Sequence, residues 1–476
     1  MRGRTPRVVL LATAAVLLMA VPSRAQTAVE STGPSDDAIR QILAARVDTH
    51  RQSVGIVGGV IAPGGRRIVS HGRLAQDDAR ALDGDTVFEI GSITKVFTAL
   101  LLADAVQRGD VSLTDPVAKY LPATVSMPER NGGVITLQSL ANHTSGLPRM
   151  PANLNPKDAT DPYADYTTEQ MYAFLSSYAL TRDVGAQVEY SNLGAGLLGH
   201  VLARHAGTDY ETLVRTRILE PLGMASTAIT LSPALRTRLA VGHNAALEPV
   251  PNWQLSTFAG AGALRSNAND MLTFLSAVLG HTPSPLAPAM ATMTTQRRPM
   301  GGPAMDIGLG WLVLKATGSE LVWHNGGTGG YRSFLGYNPE TRVGVVVLAN
   351  AMTPAGVDDI GFHLLDARSP LLPADSPLLR SPATRTATTV DPAIFDRYVG
   401  RYQLAPGAVF TITRDGERLF AQLTGQPAAE VFPESETKYF YKVVDAQLTF
   451  EVDNDGRATA VVLHQLGKDQ RAPRLE

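Results

Sequence analysis

The sequence contains no cysteine, which excludes disulfide bonds, zinc ribbons, iron–sulfur clusters and thiol nucleophiles. It has no surplus of either charge, because 42 basic residues stand against 44 acidic ones, and nothing therefore indicates a nucleic-acid partner. It also has no hydrophobic run as long as the ~20 residues of a bilayer span. The absence of G-x-S-x-G, H-E-x-x-H and P-loop motifs disfavours an α/β-hydrolase, a zincin and a nucleotide hydrolase. We predict no metal and no cofactor.

The first 25 residues have the layout of a cleaved secretory signal. Three arginines within residues 2–7 precede the apolar run Val8–Val21, and small residues follow at Ser23 and Ala25. We predict that residues 1–25 are a signal peptide, so that the mature protein is periplasmic or secreted and has no stable membrane anchor. The alternative interpretation is an uncleaved N-terminal anchor.

Hydrophobic periodicity predicts mixed helices and strands up to about residue 368. A hydrophobic content of 44% is enough for a sizeable core. Between residues 112 and 300 the pattern is one of helices interrupted by long loops rich in Pro, Gly and Asn. Elsewhere we predict helices over 36–52, 92–107 and 357–366, and strands over 54–61, 67–71, 309–314, 321–324, 333–337 and 343–349.

The C-terminal part of the chain has a different texture. Residues 369–390 are rich in Pro, Ser and Thr without periodicity, which indicates a linker. Short alternating runs then follow, with hairpin signals at 415–416 and 455–456. The spacing predicts a separate small all-β domain over 391–476, a sandwich or a barrel. The runs that we assign to strands are 398–403, 408–413, 418–423, 439–444, 447–452 and 458–464.

The first candidate for chemistry is the S-x-x-K tetrapeptide of residues 92–95. Three residues of helix advance about 4.5 Å and leave the two side chains on neighbouring faces, so Ser92 and Lys95 can meet. A serine at a helix N-terminus becomes a nucleophile when an amine or a phenol takes its proton. The alternative is an N-cap serine followed by a surface lysine. A second copy, Ser435 to Lys438, lies in the predicted β tail without a helix to align it, and we interpret it as chance.

Two further motifs place polar groups where a cleft could use them. Tyr190 and Asn192 lie two residues apart ahead of a helix of small residues, and a deprotonated Tyr190 could act as a general base. Residues 324–330, H-N-G-G-T-G-G, end a predicted strand, and an edge N–H such as that of Gly327 could pair with the N–H of Ser92 as an oxyanion hole. Taken singly, each motif is also compatible with ordinary loop structure.

Together these motifs resemble the serine β-lactamase and penicillin-binding peptidase superfamily, and more narrowly its class C β-lactamase and DD-peptidase branch. The resemblance covers roughly residues 36–368. It rests on F-E-I-G-S-I-T-K (88–95), D-V-S-L-T-D-P-V-A-K-Y-L-P (110–122), H-T-S-G-L (143–147), Y-S-N (190–192), H-N-G-G-T-G-G (324–330) and V-V-V-L-A-N (345–350).

The resemblance implies both a fold and a set of roles. It implies an α/β sheet subdomain beside a helical subdomain, with the cleft between them, followed by a lipocalin-like domain over 391–476. It further implies a nucleophile at Ser92, a proton-handling Lys95, a general base at Tyr190 and a positioning Asn192. The N–H groups of Ser92 and Gly327 would form the oxyanion hole.

The third motif departs from the K-T-G that is usual in class C β-lactamases. We expect His324, Asn325, Gly326 and Gly327 to bind substrate, but a histidine is mostly neutral at pH 7 and supplies no fixed charge for a substrate carboxylate. His143 is expected to build a loop beside the cleft. The family resemblance therefore indicates the catalytic mechanism of this chain more firmly than it indicates the substrate.

We expect an exported serine acyl hydrolase that hydrolyses β-lactams through an acyl-enzyme. Within the same fold, the alternatives are a D-Ala-D-Ala carboxypeptidase, a D-amino-acid peptidase and an esterase acting on small or peptidoglycan-type substrates. An alternative of a different class is a penicillin-binding sensor that is acylated without turnover.

Overall fold

The structure is a computed structural model. It describes residues 33–316, 318–379, 385–405, 407–424, 428–441, 446–465 and 468–475. The predicted signal peptide lies outside the described residues. Within them, no helix combines the length and the apolar character that crossing a membrane requires.

The helices fall mainly in the first 365 residues. Ser35 caps the first one, since its Oγ accepts a hydrogen bond from the Ala38 N–H. In the described residues the α-helices are α1 (Asp36–Ala44), α2 (Thr94–Gln107), α3 (Leu137–Ala141), α4 (Thr168–Ser177), α5 (Asn192–His205), α6 (Tyr210–Val214), α7 (Glu220–Leu222), α8 (Pro233–Arg236), α9 (Ala259–Gly262), α10 (Ala268–Val278), α11 (Ala287–Thr292) and α12 (Asp358–Leu365).

The strands form a large sheet, a two-stranded sheet and a closed barrel. In the described residues they are β1 (Gly55–Ala62), β2 (Gly65–Gly72), β3 (Phe88–Glu89), β4 (Arg265–Ser266), β5 (Arg298–Pro299), β6 (Met305–Ile307), β7 (Leu312–Ala316), β8 (Ser319–Gly327), β9 (Arg332–Asn338), β10 (Val343–Ala349), β11 (Gly400–Ala405), β12 (Ala408–Asp415), β13 (Arg418–Leu423), β14 (Ala429–Pro433), β15 (Lys438–Tyr441), β16 (Ala446–Val452), β17 (Ala458–Gln465) and β18 (Lys468–Leu475).

The large sheet carries helices on both faces. Its order is β2-β1-β10-β9-β8-β7-β6-β5, and the pairings from β2 through to β5 are antiparallel. Helices α1 and α12 cover one face, and α10 covers the other. Strand β10 is central and almost wholly buried, as its continuous apolar run predicts.

A group of helices packs beside this sheet. Helix α2 contacts α5, α9 and α11, and its residues Thr94–Ala105 are all buried. A helix that is buried on nearly every side must be apolar all round, which explains why Lys95 is the only basic residue within that buried stretch. The predicted α/β plus α architecture is therefore confirmed.

The edge of the large sheet opens beside the N-terminus of α2. Strand β8 pairs with β7 only as far as Trp323, opposite Leu312. Beyond that point residues 324–327 pair with β9 alone, so the other side of the strand is free of ladder partners. The 3₁₀ turn Gly91–Ile93, which leads into α2, lies against this free stretch.

The predicted all-β domain is confirmed as an eight-stranded closed barrel, β11–β18. Its interior is filled by aromatic side chains, among them Tyr402, Tyr439 and Phe450. Two of its strands were not predicted. Strand β18 is polar and contains Pro473, and β14 is short and ends at Pro433, so neither shows a clear apolar alternation.

The predicted linker makes hydrogen bonds on the side of the catalytic domain and on the side of the barrel. The Gln52 side chain donates to the carbonyl of Leu379, which is itself buried, and the N–H of Leu372 donates to Asp359. Towards the barrel, the N–H of Thr388 donates to the carbonyl of Pro433. These contacts give the segment more packing than its composition suggests.

Candidate active site

Ser92 lies in the turn that starts α2. The preceding Gly91 has a φ of +50°, and a Cβ built on it would lie 2.7 Å from the Gly327 nitrogen. Both the left-handed backbone and the close approach therefore require glycine at this position. As a result Ser92 is half-buried, next to the open edge of β8 and at the N-terminal end of α2, where backbone N–H groups have no partner within the helix.

Lys95 places its amine directly beside the serine. Its Nζ lies 2.9 Å from the Ser92 Oγ and donates a hydrogen bond of 2.7 Å to the carbonyl of Ala261 in α9. The residue is 3% exposed. Burial, aided by the positive charge of Arg149, lowers the pKa of Lys95 well below its ordinary value. The surroundings of Lys95 therefore favour its neutral form more than water does.

Tyr190 joins this pair from the N-terminus of α5. The helix is capped by Ser191, whose Oγ accepts from the Gly194 N–H at 2.8 Å, and this fixes the backbone next to Tyr190. The Tyr190 ring centre lies 4.8 Å from the Lys95 Nζ, and its phenol is near enough to the Ser92 side chain for Ser92 to affect its pKa. Burial raises the pKa of Tyr190 to about 12, so the phenol is protonated at neutral pH.

His143 packs against the ring of Tyr190 and binds the backbone next to it. Its Nδ1 accepts a hydrogen bond of 3.1 Å from the Ser191 N–H, and its ring centre lies 4.5 Å from that of Tyr190. Burial, with the nearby Lys95 contributing, lowers the pKa of His143 well below its ordinary value, so the ring is neutral with its proton on Nε2. His143 therefore does more than the loop-building that its sequence context indicates.

Arg149 is a functional candidate that the sequence reasoning missed. Its carbonyl accepts hydrogen bonds from the N–H groups of Asn192 and Leu193, at 3.0 and 3.2 Å, so its backbone is fixed at the start of α5. Its side chain is exposed, and the guanidinium carbon lies 5.2 Å from the centre of the Tyr190 ring. In the sequence it is one loop arginine among many, and no local pattern distinguishes it.

His324 is buried and uncharged. It is 3% exposed, and its Nδ1 donates to the carbonyl of Asn325 at 2.6 Å. Burial, reinforced by the proximity of Lys95, lowers the pKa of His324 to about 3. Its ring centre lies 6.1 Å from that of Tyr190, which places a neutral imidazole beside the site.

The next residues of β8 divide between the two faces of the sheet, because successive side chains of a strand alternate. The Asn325 side chain donates to Asp358 of α12 at 2.6 Å, on the face opposite His324. A Cβ on Gly326 would lie 2.0 Å from the Ile90 carbonyl. The structure therefore does not bring the Asn325 side chain to Ser92, and it uses Gly326 for close backbone packing.

The N–H of Gly327 points out of the sheet edge. The Thr328 N–H donates to the Tyr331 carbonyl at 3.1 Å, and this bond closes the turn between β8 and β9 in the position of a hydrogen-bonded pair. Because such pairs alternate, Gly327 and Arg332 form the next pair, whose N–H groups point away from each other. The Gly327 N–H therefore faces the Gly91–Ser92 turn, on the side of β8 that lacks β7.

A narrow cleft opens in front of these groups. Asn192 lines it, and Tyr163, Trp253 and Phe258 form an aromatic wall, with the Tyr163 ring centre 5.0 Å from Trp253 and 5.9 Å from Phe258. The cleft is lined by Gly91, Ser92, Tyr163, Asn192, Trp253, Leu255, Phe258, Ala261, Gly262, Gly327 and Thr328.

Two known families match the chain. The family described as Beta-lactamase matches residues 37–368, and a domain of unknown function, DUF3471, matches residues 384–474. Among curated proteins, the D-alanyl-D-alanine-carboxypeptidase/endopeptidase AmpH of Escherichia coli (strain K12) is 32% identical over 311 residues, which is 61% of this chain and 79% of AmpH.

Similarity to another curated protein extends into the C-terminal region. Penicillin-binding protein 4* of Bacillus subtilis (strain 168) is 28% identical over 446 residues, or 88% of this chain and 95% of that protein. Among solved structures, a β-lactamase/D-alanine carboxypeptidase from Yersinia pestis complexed with citrate is 26% identical, with a TM-score of 0.63. That similarity covers 71% of this chain and 99% of the other.

Proposed function

Since this chain belongs to the β-lactamase family, we propose that it is an exported enzyme that hydrolyses β-lactams through an acyl-enzyme on Ser92. As a member of the family it is a serine hydrolase that acts on β-lactams or D-alanyl peptides. The observation that supports the proposed site is the 2.9 Å contact between a buried lysine amine and the Ser92 Oγ. Export is supported by the sequence of residues 1–25.

Acylation starts with proton transfer from Ser92 to Lys95. The neutral amine accepts the hydroxyl proton as the Oγ attacks the carbonyl carbon of the substrate. The negative charge that develops on the carbonyl oxygen is stabilised by the N–H groups of Ser92 and Gly327. When the C–N bond breaks, the Tyr190 phenol donates its proton to the leaving nitrogen and then recovers one from Lys95. The products are an ester on Ser92 and a free amine.

The two resting forms of the Lys95–Tyr190 pair contain the same number of protons. A neutral amine with a phenol differs from an ammonium with a phenolate only in the position of one proton. Burial penalises charge, which lowers the pKa of Lys95 and raises that of Tyr190, so the uncharged arrangement is favoured. Lys95 is then the base for acylation, rather than the deprotonated Tyr190 that the sequence motif suggests.

Deacylation uses the same groups in reverse. A water molecule attacks the ester carbonyl while the Lys95–Tyr190 pair takes its proton, and the Ser92 oxygen leaves and recovers a proton from the pair. Asn192, at the wall of the cleft, positions the substrate amide. The presence of a complete proton pathway beside Ser92 supports turnover rather than a sensor that remains acylated.

A D-alanyl carboxypeptidase is the second candidate for the same pocket. It is supported by AmpH, whose name states that activity, and the chemistry of the acyl-enzyme is the same. The uncharged His324 stands where class C β-lactamases usually have the lysine of K-T-G, and this difference weakens the analogy with those β-lactamases.

A substrate panel separates these functions. Purified protein without residues 1–25 is assayed on nitrocefin, on peptides ending in D-Ala-D-Ala and on p-nitrophenyl esters, with Ser92→Ala as control. We expect many nitrocefin turnovers that disappear in the variant. Release of D-alanine without nitrocefin turnover would favour the carboxypeptidase. A single-turnover burst would contradict a hydrolase of β-lactams and favour the sensor.

A further inference from the structure

The cleft needs a cation if its substrate carries a carboxylate, and the buried residues do not provide one. Burial favours the neutral forms of Lys95, His143 and His324 alike. Arg149 is different, because its side chain is exposed and a guanidinium keeps its charge at all working pH values.

The position of Arg149 relates it to one side of the substrate. Its guanidinium packs over the ring of Tyr190, the residue whose phenol donates to the leaving nitrogen in the proposed mechanism. Whatever is attached to that nitrogen therefore lies near Arg149. Two backbone hydrogen bonds from Asn192 and Leu193 to the carbonyl of Arg149 fix its main chain beside Tyr190.

A second arginine, Arg332, also lies near the site but is already engaged. Its Nη1 would be 3.3 Å from a Cβ on Gly327, and its Nε donates to the carbonyl of Thr353. Burial lowers the pKa of Arg332, and the nearby carboxylate of Asp358 opposes part of this effect. Among the described residues, no hydrogen bond or carboxylate partner is found for the Arg149 guanidinium.

We propose that Arg149 recognises a carboxylate on the leaving-group side of the substrate, in the role for which His324 lacks a charge. This inference rests on the proposed function and assigns the residue that reads the charge of its substrate. Charge-assisted guanidinium–carboxylate hydrogen bonds are strong, so the loss of this contact should lower reactivity towards anionic substrates by about tenfold or more.

The test compares benzylpenicillin with its methyl ester, which differ only in the carboxylate. The rate constant for acylation of Ser92 is measured for each by intact-protein mass spectrometry and by loss of β-lactam absorbance. We expect the ratio of the two rate constants to fall about tenfold or more in Arg149→Gln, less in Arg149→Lys, and to invert in Arg149→Glu. Added salt should lower the ratio in the wild type and leave it level in Arg149→Gln.

Two matched variants complete the design. Arg204→Gln, at the far end of α5, should leave the ratio unchanged, and Arg332→Gln should change it less than Arg149→Gln does. An equal loss for both compounds in Arg149→Gln, or a larger effect of Arg332→Gln on the ratio, would overturn the inference while leaving the acyl-enzyme intact. Absence of acylation by either compound in the wild type would instead overturn the proposed function, and the inference with it.

Discussion

The tetrapeptide S-x-x-K occurs in two regions of this molecule, and the two copies have opposite surroundings. At Ser92 and Lys95 it starts a buried helix, and the lysine amine lies 2.9 Å from the serine oxygen. At Ser435 and Lys438 it forms the hairpin between β14 and β15, where the Ser435 Oγ accepts from the backbone N–H of Lys438 at 3.1 Å and the lysine side chain is exposed.

The difference shows what the motif needs in order to be reactive. The spacing brings the two side chains together only on a helix, and the same spacing in a hairpin directs the serine to the backbone. Burial then sets the protonation state of the amine, and an exposed lysine is not desolvated in this way. The structural surroundings of the tetrapeptide, rather than its sequence, therefore determine whether it suits catalysis or forms a turn.

The largest expected effect comes from substituting the serine and the lysine of the first copy, with the same substitutions in the second copy as controls. Ser92→Ala should lower kcat for a hydrolysed β-lactam by about 10⁴-fold or more, and Lys95→Met by about 10³-fold, since each removes a partner of the proton transfer. Ser435→Ala and Lys438→Met should stay within about twofold of the wild type. Steady-state kinetics measures all four variants, and comparable losses in both regions would contradict the comparison.

An intermediate effect is expected from Tyr190, whose ring lies beside Lys95 of the first copy. Tyr190→Phe keeps the ring on His143 but removes the proton donor, so kcat should fall by about 10²–10⁴-fold. Because burial raises the pKa of Tyr190 to about 12, wild-type kcat/KM should stay level up to pH 10 and fall only above it, as the phenol ionises. At the acid side, activity should disappear as Lys95 gains a proton, well below pH 10.5.

The control for this variant is Tyr172→Phe, whose hydroxyl pairs with His200 away from the cleft. A fall of wild-type kcat/KM centred near pH 10 would show that Tyr190 titrates as an ordinary tyrosine. An unchanged kcat in Tyr190→Phe would remove the phenol from the proposed mechanism.

The smallest effect concerns stability in acid. The native protein keeps His324 unprotonated down to a pKa of about 3, whereas the unfolded chain binds a proton below about pH 6.5. The free energy of unfolding should therefore fall as the pH drops below 6.5, by up to about 1.4 kcal/mol per pH unit for this residue. Urea unfolding at pH 7, 6 and 5 should show a shallower slope in His324→Gln, and parallel slopes would contradict the burial of a neutral imidazole.

Much of the fold was predictable because its signals are local. Strand β10 was predicted with its observed bounds, 343–349, since a continuous apolar run between turn residues leaves little choice. The superfamily, the α/β plus α architecture and the separate β domain are confirmed as well. Strands β14 and β18 were missed because their place in the barrel depends on pairing with distant partners rather than on their own composition.

The site was predictable only in part, for a related reason. The motifs supplied Ser92, Lys95 and Tyr190, and their catalytic roles remain predictions that the experiments above test. Arg149 and the support that His143 gives to Tyr190 could not be predicted, because both arise from loops that meet across the fold. Likewise, the alternation that turns Asn325 towards Asp358 depends on which face of β8 meets α12, and this is a property of the sheet.

The close approach of Gly91 and Gly327 has a consequence for how the chain folds. The turn that carries Ser92 and the strand that carries Gly327 are separated by more than 200 residues, and they fit together only when the sheet and the helices are docked. Joining such distant segments costs loop-closure entropy, so we expect it to be a late step of folding. We therefore expect partly folded chains to have secondary structure without the contact between Gly91 and Gly327, and the activity of the proposed site to return with the final topology rather than in proportion to helix or strand content.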